Sequence, residues 1–413
     1  MQPRRLKDTK SSRRRSITLK NFDVAVVGAG PAGAHAAWTL ARMGARVAMF
    51  DPSHPREKPC GGGITGRALD LVAGAVDRRS IESITIRSAR FLPDGGIDRA
   101  PGTDPGAAVV DLDDGALVVS SRSVFDRALL SAAVNAGAAH LPLRVLDVAI
   151  DGGEATVHTG SAAYRAGFVI GADGANSLVR RRLARMFRRD QLSIATGYFA
   201  DGVTSDEIVL QLLPAGYLWS FPRPDHLGIG ICAPADASET AGSLRRVTAD
   251  WIRGSGLAPG ARLRAYSWPI PTLAPADFER LGVAGSRWCL IGDAAGLVDP
   301  ITREGIYFAL ASAAWAADAL AGGAAGRCYA ARVRDEAVPE LARAATLKAL
   351  FFQPWFTKQL TGALQASAAI RRVMADLIAG RQRYATLTWR LLGTFELGLA
   401  WRSLIARNTR RAL

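Results

Sequence analysis

The chain has 413 residues, 49% of them hydrophobic and 22% charged, an ordinary globular composition with length for two or three domains. Its net charge of +15 is concentrated at the ends: eight Lys/Arg against Asp8 in residues 1–20, and nine Arg against Asp376 and Glu396 in residues 371–413. A near-neutral body between basic ends excludes a nucleic-acid groove spread over the fold, and Cys60, Cys232, Cys289 and Cys328 have neither metal-ligand spacing nor the density of a disulfide framework.

These totals imply a reduced, cytoplasmic setting without a metal site. Basic ends beside apolar helices suit an anionic inner-membrane surface, at about 1 kcal/mol per Lys or Arg. The bland alternative is a solvated tail over residues 1–20 and an exposed helix face near the other end. The stretch SSRRRSITLK (11–20) loosely has the pattern of a twin-arginine export signal. The apolar segment that should complete it, FDVAVVGAGPAGAHAAWTLA (22–41), is committed to a nucleotide-binding unit, so export is rejected. No uninterrupted apolar run reaches the about 18 residues of a membrane span.

In chain order, Phe22–Val27 is a continuous apolar run suited to a buried parallel strand. GAGPAG at 28–33 follows, then a helical pattern to Met43 that Gly44 ends, then a second strand, Arg46–Phe50. Asp51 closes that strand 23 residues after Gly28. Gly28 makes the turn, Gly30 lets the backbone approach a pyrophosphate, and Gly33 lets helix pack on strand; Ala32 belongs to the same turn. The helix N-terminus favours the phosphate charge, and Asp51 can accept a hydrogen bond from a ribose hydroxyl. His35, on this helix, reads as a packed or exposed histidine.

FVIGADGANSLVRR (168–181) is another apolar strand, followed by a turn holding Asp173 and a helix start. PAGYLWSFPRP (214–224) places Tyr217, Trp219 and Phe221 at alternating strand positions, so the three rings share a face. Pro222 predicts that this end of the strand is an edge or a bend. WCLIGDAAGLVDPITREGIYFAL (288–310) gives a further strand, then Gly292 and Asp293, a loop, and a long apolar helix beginning near Gly305 and Ile306. Residues 341–413 read as helical, with Gly380 and Gly393 as breaks. Phe351, Phe352, Trp355, Phe356, Trp389, Phe395 and Trp401 are either core or an interfacial surface there.

With these pieces in order, the sequence resembles the FAD-dependent oxidoreductases of the para-hydroxybenzoate hydroxylase fold, and within them the geranylgeranyl reductase family. The resemblance rests on GAGPAG, KPCGGG (58–63), SRSVFDRALL (121–130), GADGANSLVRR, YLWSFP and GDAAGLVDPITREGI. It implies an α/β fold with interleaved segments. A Rossmann-like FAD-binding domain would gather residues 21–80, 105–190 and 284–340. An antiparallel substrate sheet would use 81–104 and 191–283, and 341–413 would form a C-terminal helical region. It also implies roles. Arg122 would reach the FAD diphosphate region, the alternative being an exposed helix-start arginine. Cys60, Gly61 and Gly63 would form the loop beside the flavin, and Val145 would line the adenine side. Asp293, Gly305 and Ile306 would surround the pyrophosphate, ribityl chain and ring; read from the residues alone, Asp173 and Asp293 (the latter after Gly292) are acids at strand ends beside a glycine that can accept hydrogen bonds from sugar or ribityl hydroxyls. Tyr217, Trp219 and Phe221 would line a pocket for a prenyl chain.

The implied chemistry is reduction of prenyl C=C bonds by hydride from reduced FAD, with Cys60 as donor or positioner of the proton. No second G-x-G-x-x-G with flanking strand and helix is present, so NADPH would bind without a Rossmann unit of its own; ferredoxin or another reduced carrier is the alternative donor. The competing readings are a monooxygenase or halogenase of the same fold, and a non-catalytic prenyl-binding protein. The sequence departs from the family at Arg303, which stands where the family often has glycine. That side chain could meet an anionic substrate head, NADPH or solvent.

Overall fold

The computed structural model describes residues 20–93, 106–214, 216–235 and 240–394. The basic tail expected over residues 1–20 falls almost entirely outside the described residues, as do Phe395 and Trp401.

The apolar strands expected from the sequence assemble into a parallel sheet. Lys20–Val27 lies at its centre, paired in parallel with Val47–Phe50 on one side and with Ala163–Gly171 on the other. Ala139–Leu141 extends the first side, and Trp288–Leu290 the second. The chain therefore moves outward first one way and then the other from the central strand. The crevice at the carboxyl ends of Lys20–Val27 and Ala163–Gly171 is the topological switch point, where ligands bind in open α/β sheets. A hairpin, Val145–Asp151 with Glu154–Thr159, pairs antiparallel with Ala163–Gly171. The helices Pro31–Arg42 and Ile306–Ala321 cover the sheet, and their small residues (Ala36, Ala37, Ala313, Ala317) are almost fully buried.

A second sheet has seven strands in the order Arg262–Pro271, Leu192–Asp201, His226–Pro234, Gly216–Pro222, Glu207–Leu213, Ser88–Leu92, Ala108–Asp111. It departs from a purely antiparallel sheet at one pair, since Glu207–Leu213 runs parallel to Ser88–Leu92. Ala108–Asp111, expected with the nucleotide-binding segments, pairs instead with Ser88–Leu92 in this sheet.

The aromatic strand Gly216–Pro222 is not at an edge. It lies between His226–Pro234 and Glu207–Leu213. Pro222 is tolerated because it lies past the last pair with Glu207–Leu213 (Val209 with Ser220) and just before a tight turn closed by Arg223 N–H to His226 O at 2.8 Å. The expected bend is present, within a strand that has neighbours on both sides.

The C-terminal helices Val338–Phe351, Pro354–Ala366, Ala368–Ile378 and Tyr384–Leu392 pack against the second sheet. Gly380, at φ 71°, follows the third of them and Gly393 caps the fourth, as expected. Among the described residues no helix is long and apolar enough to cross a membrane.

Candidate functional site

The glycine turn sits at the switch point because only bare backbone fits there. Gly28 adopts φ 102°, and a Cβ on it would lie 2.4 Å from Ala172 O in the turn after Ala163–Gly171. A Cβ on Gly33 would lie 1.9 Å from Gly28 O. The helix that follows has Gly30 at its N-cap with no side chain satisfying its first N–H groups. These groups open into a cavity of about 700 Å³ that continues to the aromatic strand. Ala32 and Val145 also line it, whereas Gly292, expected beside the cofactor, does not: a Cβ on it would lie 3.3 Å from Ala32 Cβ, behind the lining.

Asp51 lines this cavity, yet its carboxylate is largely held by its own neighbourhood. Oδ2 accepts from Ala29 N at 3.0 Å and meets His54 Nδ1 at 2.7 Å, while Oδ1 accepts from Ser53 N, Ser53 Oγ and His54 N. His54 Nε2 in turn lies 3.3 Å from Asp126 Oδ2. Asp126 receives a two-point ion pair from Arg122, at 2.8 Å from Nε and 2.9 Å from Nη2. The exposed alternative for Arg122 is therefore corrected: the residue is buried, at 3% exposure, and borders the cavity. Burial opposes every charge in this row. The contacts outweigh it, lowering the pKa of Asp51 and Asp126 and raising those of His54 and Arg122.

The loop after His54 carries Cys60, Gly61 and Gly63. Gly62 N–H approaches Cys60 Sγ at 3.3 Å, and Gly62 itself has φ 79° with space for no side chain, since a Cβ would lie 2.6 Å from Ser120 O. From below, Arg223 Nη2 donates to Cys60 O at 2.6 Å. Arg223 is fully buried, and a Cβ on Gly228 would lie 2.1 Å from its Nη1. The sequence reading missed Arg223, although it directly follows the YLWSFP motif.

Asp173 does not stand free in its turn. Its carboxylate accepts from Ser177 Oγ and from Leu178 and Val179 N–H, organising the start of the next helix while bordering the cavity. Asp293 receives Lys58 Nζ at 2.9 Å, which ties the KPCGGG loop to the turn after Trp288–Leu290. Lys58 was visible in the motif but was given no role. Gly305 is the N-cap of Ile306–Ala321, again without a side-chain cap, and Gly305 and Ile306 both line the cavity.

Tyr217, Trp219 and Phe221 all line this same cavity, whereas Leu218 points to the opposite face and packs with Ile229 and Trp251. The alternation expected from the sequence is realised. A Cβ on Gly61 or Gly63 would lie 3.2 Å from the Phe221 ring, so the glycine loop lies directly against the aromatic wall. Trp219 packs on Phe221 at a centroid distance of 5.7 Å and on Tyr266 at 6.2 Å. Tyr217 stacks on Phe352, and its hydroxyl donates to Thr302 O at 3.1 Å. Phe351, Met374, Leu377 and Ile378 of the C-terminal helices complete the apolar end.

This arrangement fits FAD. Two uncapped helix N-termini, at Gly30 and Gly305, open into one cavity, and the turn at Gly28 and the loop at Gly61–Gly63 carry glycine where a Cβ would meet neighbouring protein atoms, which leaves bare backbone along the cavity wall. Among the described residues no cluster of His, Cys, Asp and Glu could hold a metal ion.

Comparison with known proteins gives a consistent picture. Residues 21–201 match the FAD binding domain family. The chain is 30% identical to a menaquinone reductase of Mycobacterium tuberculosis over 89% of its own length and 94% of the relative's. It is 33% identical to a geranylgeranyl diphosphate reductase of Rhodobacter capsulatus, over 72% of this chain and 74% of that one. A geranylgeranyl bacteriochlorophyll reductase-like protein of Thermoplasma acidophilum superposes with a TM-score of 0.73 at 21% identity, covering 91% of this chain and all of that one.

Proposed function

Because the chain belongs to the geranylgeranyl reductase family of FAD-dependent oxidoreductases, we propose that it saturates C=C bonds in the prenyl chain of an isoprenoid substrate. The observation that carries this reading is the continuity of one cavity from the glycine turn to Tyr217, Trp219 and Phe221. FAD, once reduced, supplies the hydride.

The chain's own residues do the rest. Gly28, Gly30, Ala32, Gly33 and the first N–H groups of Pro31–Arg42 would hold the diphosphate. Asp51 holds the loop that frames the ribose, and Val145 would border the adenine. Asp173, Asp293 and the Gly305–Ile306 helix start would flank the remainder of the cofactor, with Arg122 behind the Cys60–Gly63 loop. The three rings exclude water and bury a flexible apolar chain, at about 25 cal/mol per Å² removed from water. Their π faces also favour positive charge developing on an unactivated alkene. Cys60 lies at the junction of loop and wall, where its Sγ can hold the proton destined for the second alkene carbon. The electron donor in this reading is NADPH or another reduced carrier. A lipid-borne substrate would bring the chain to a membrane surface, a reading supported by the exposure of Trp389 (76%) and Leu392 (61%) on the last described helix.

The test is to incubate protein, FAD, a reductant and a geranylgeranyl substrate with and without air, and to weigh the product. Gains in steps of two hydrogens without air support the proposal. A gain of one oxygen that requires air replaces it with a monooxygenase reading.

A further inference from the structure

Arg303 lines the cavity and makes no ion pair among the described residues. It is the only non-glycine among the described residues with positive φ, at 61°. L-residues adopt this conformation reluctantly, and it turns the side chain into the wall of the cavity. There, Nη1 donates to Thr272 Oγ1. Nε and Nη2 are buried and have no hydrogen-bond partner. These two donors share one edge of the guanidinium, and together they form the two-point fork that matches a carboxylate or phosphate.

The neighbouring acids are engaged elsewhere. Glu304 accepts from Thr65 Oγ1 and pairs with Arg67. Asp299 accepts from Ile301 N, Thr302 N and Tyr384 Oη. A second cation approaches the same spot, since Lys348 Nζ donates to Thr272 Oγ1 at 2.9 Å. Nearby, Tyr217 lies in the aromatic wall with its hydroxyl on Thr302 O. An unpartnered two-point fork buried in the wall of an apolar cavity describes a site for an amphiphile with an oxyanion at one end.

We propose that the Nε–Nη2 edge of Arg303 binds the phosphate of the substrate, so that the preferred substrate is a prenyl phosphate ester rather than a neutral prenyl quinone or alcohol. The inference rests on the prenyl-reductase reading and narrows it. It is tested by binding, read as the perturbation of the flavin absorption band of the holoenzyme, with turnover measured separately by mass spectrometry. The ligands are geranylgeranyl diphosphate, a digeranylgeranylglycerophospholipid and geranylgeraniol. The proteins are wild type, Arg303→Lys and Arg303→Gly; glycine adopts the local backbone freely, so that variant keeps the fold.

The expected result is that both variants weaken binding of at least one phosphate ester by about thirty-fold, while geranylgeraniol changes by less than about threefold. Which ester responds separates a free diphosphate from a lipid headgroup. Equal weakening of all three ligands, unchanged binding of both esters, or a defect confined to NADPH oxidation overturns the inference. A wild-type protein that binds the ester through Arg303 but reduces no alkene keeps this inference and sinks the reductase reading. Reduction that proceeds equally in Arg303→Gly does the reverse.

Discussion

Breaking the ion pair behind the Cys60 loop gives a prediction with a definite size. Arg122 and Asp126 are both essentially excluded from water and make two contacts of 2.8 and 2.9 Å. Two unit charges about 4 Å apart attract by about 4 kcal/mol at an effective dielectric constant of about 20. Removing one partner also strands the other in the interior, and such losses run to about 3–5 kcal/mol. Asp126→Asn is therefore expected to cost about 3 kcal/mol, because the amide oxygen still accepts one bond while the charge is gone. A protein of this length unfolds with an entropy of about 0.9 kcal/mol/K, so the transition should fall by about 3–4 °C. The double replacement Arg122→Met with Asp126→Leu removes both charges and should recover most of the loss. Differential scanning calorimetry on the holoprotein and its variants measures this directly. A single variant as stable as wild type, or a double variant less stable than either single one, refutes the reasoning.

Three other outcomes follow from the same geometry. Gly33→Val should abolish retention of FAD through gel filtration, because its Cβ would fall 1.9 Å from Gly28 O; a yellow variant refutes this. Trp219→Leu should raise KM for the prenyl substrate about tenfold at unchanged flavin content, since about 50 Å² of apolar contact is lost; a change in kcat alone argues against substrate contact. His54, with its pKa raised by Asp126 and Asp51 against the opposing effect of burial, should add stability that is complete below about pH 6.5 and disappears as the pH rises through the raised value. The stability of wild type over His54→Gln should therefore shrink between mildly acidic and alkaline buffers, and parallel pH curves contradict it.

The local parts of the site were legible because their chemistry is local. The GAGPAG turn needs its strand before it and its helix after it, and both follow within a few residues. The shared face of Tyr217, Trp219 and Phe221 follows from strand geometry alone. What escaped depends on distant segments meeting. Arg122 was expected at the FAD diphosphate region, but its ion pair with Asp126 and the link from Asp126 through His54 to Asp51 show only in the fold. Asp51 and Asp173 read as hydroxyl acceptors, but backbone N–H groups of their own turns occupy much of their capacity, which spacing does not reveal. Pro222 suggested an edge because a proline cannot serve two neighbours; the neighbour's pairing ends before it, which only the register discloses. Arg223 and Lys58 gain meaning from Cys60 O and Asp293, residues far away in the chain.

The central claim is that electrons pass from FAD to a prenyl alkene without oxygen. The direct measurement is to photoreduce the flavin in sealed anaerobic protein, add geranylgeranyl diphosphate, and follow the oxidised flavin band. The account predicts that the band returns in the absence of air, with one double bond lost per flavin reoxidised. A flavin that stays reduced with the prenyl substrates tested and recovers only when air is admitted contradicts it.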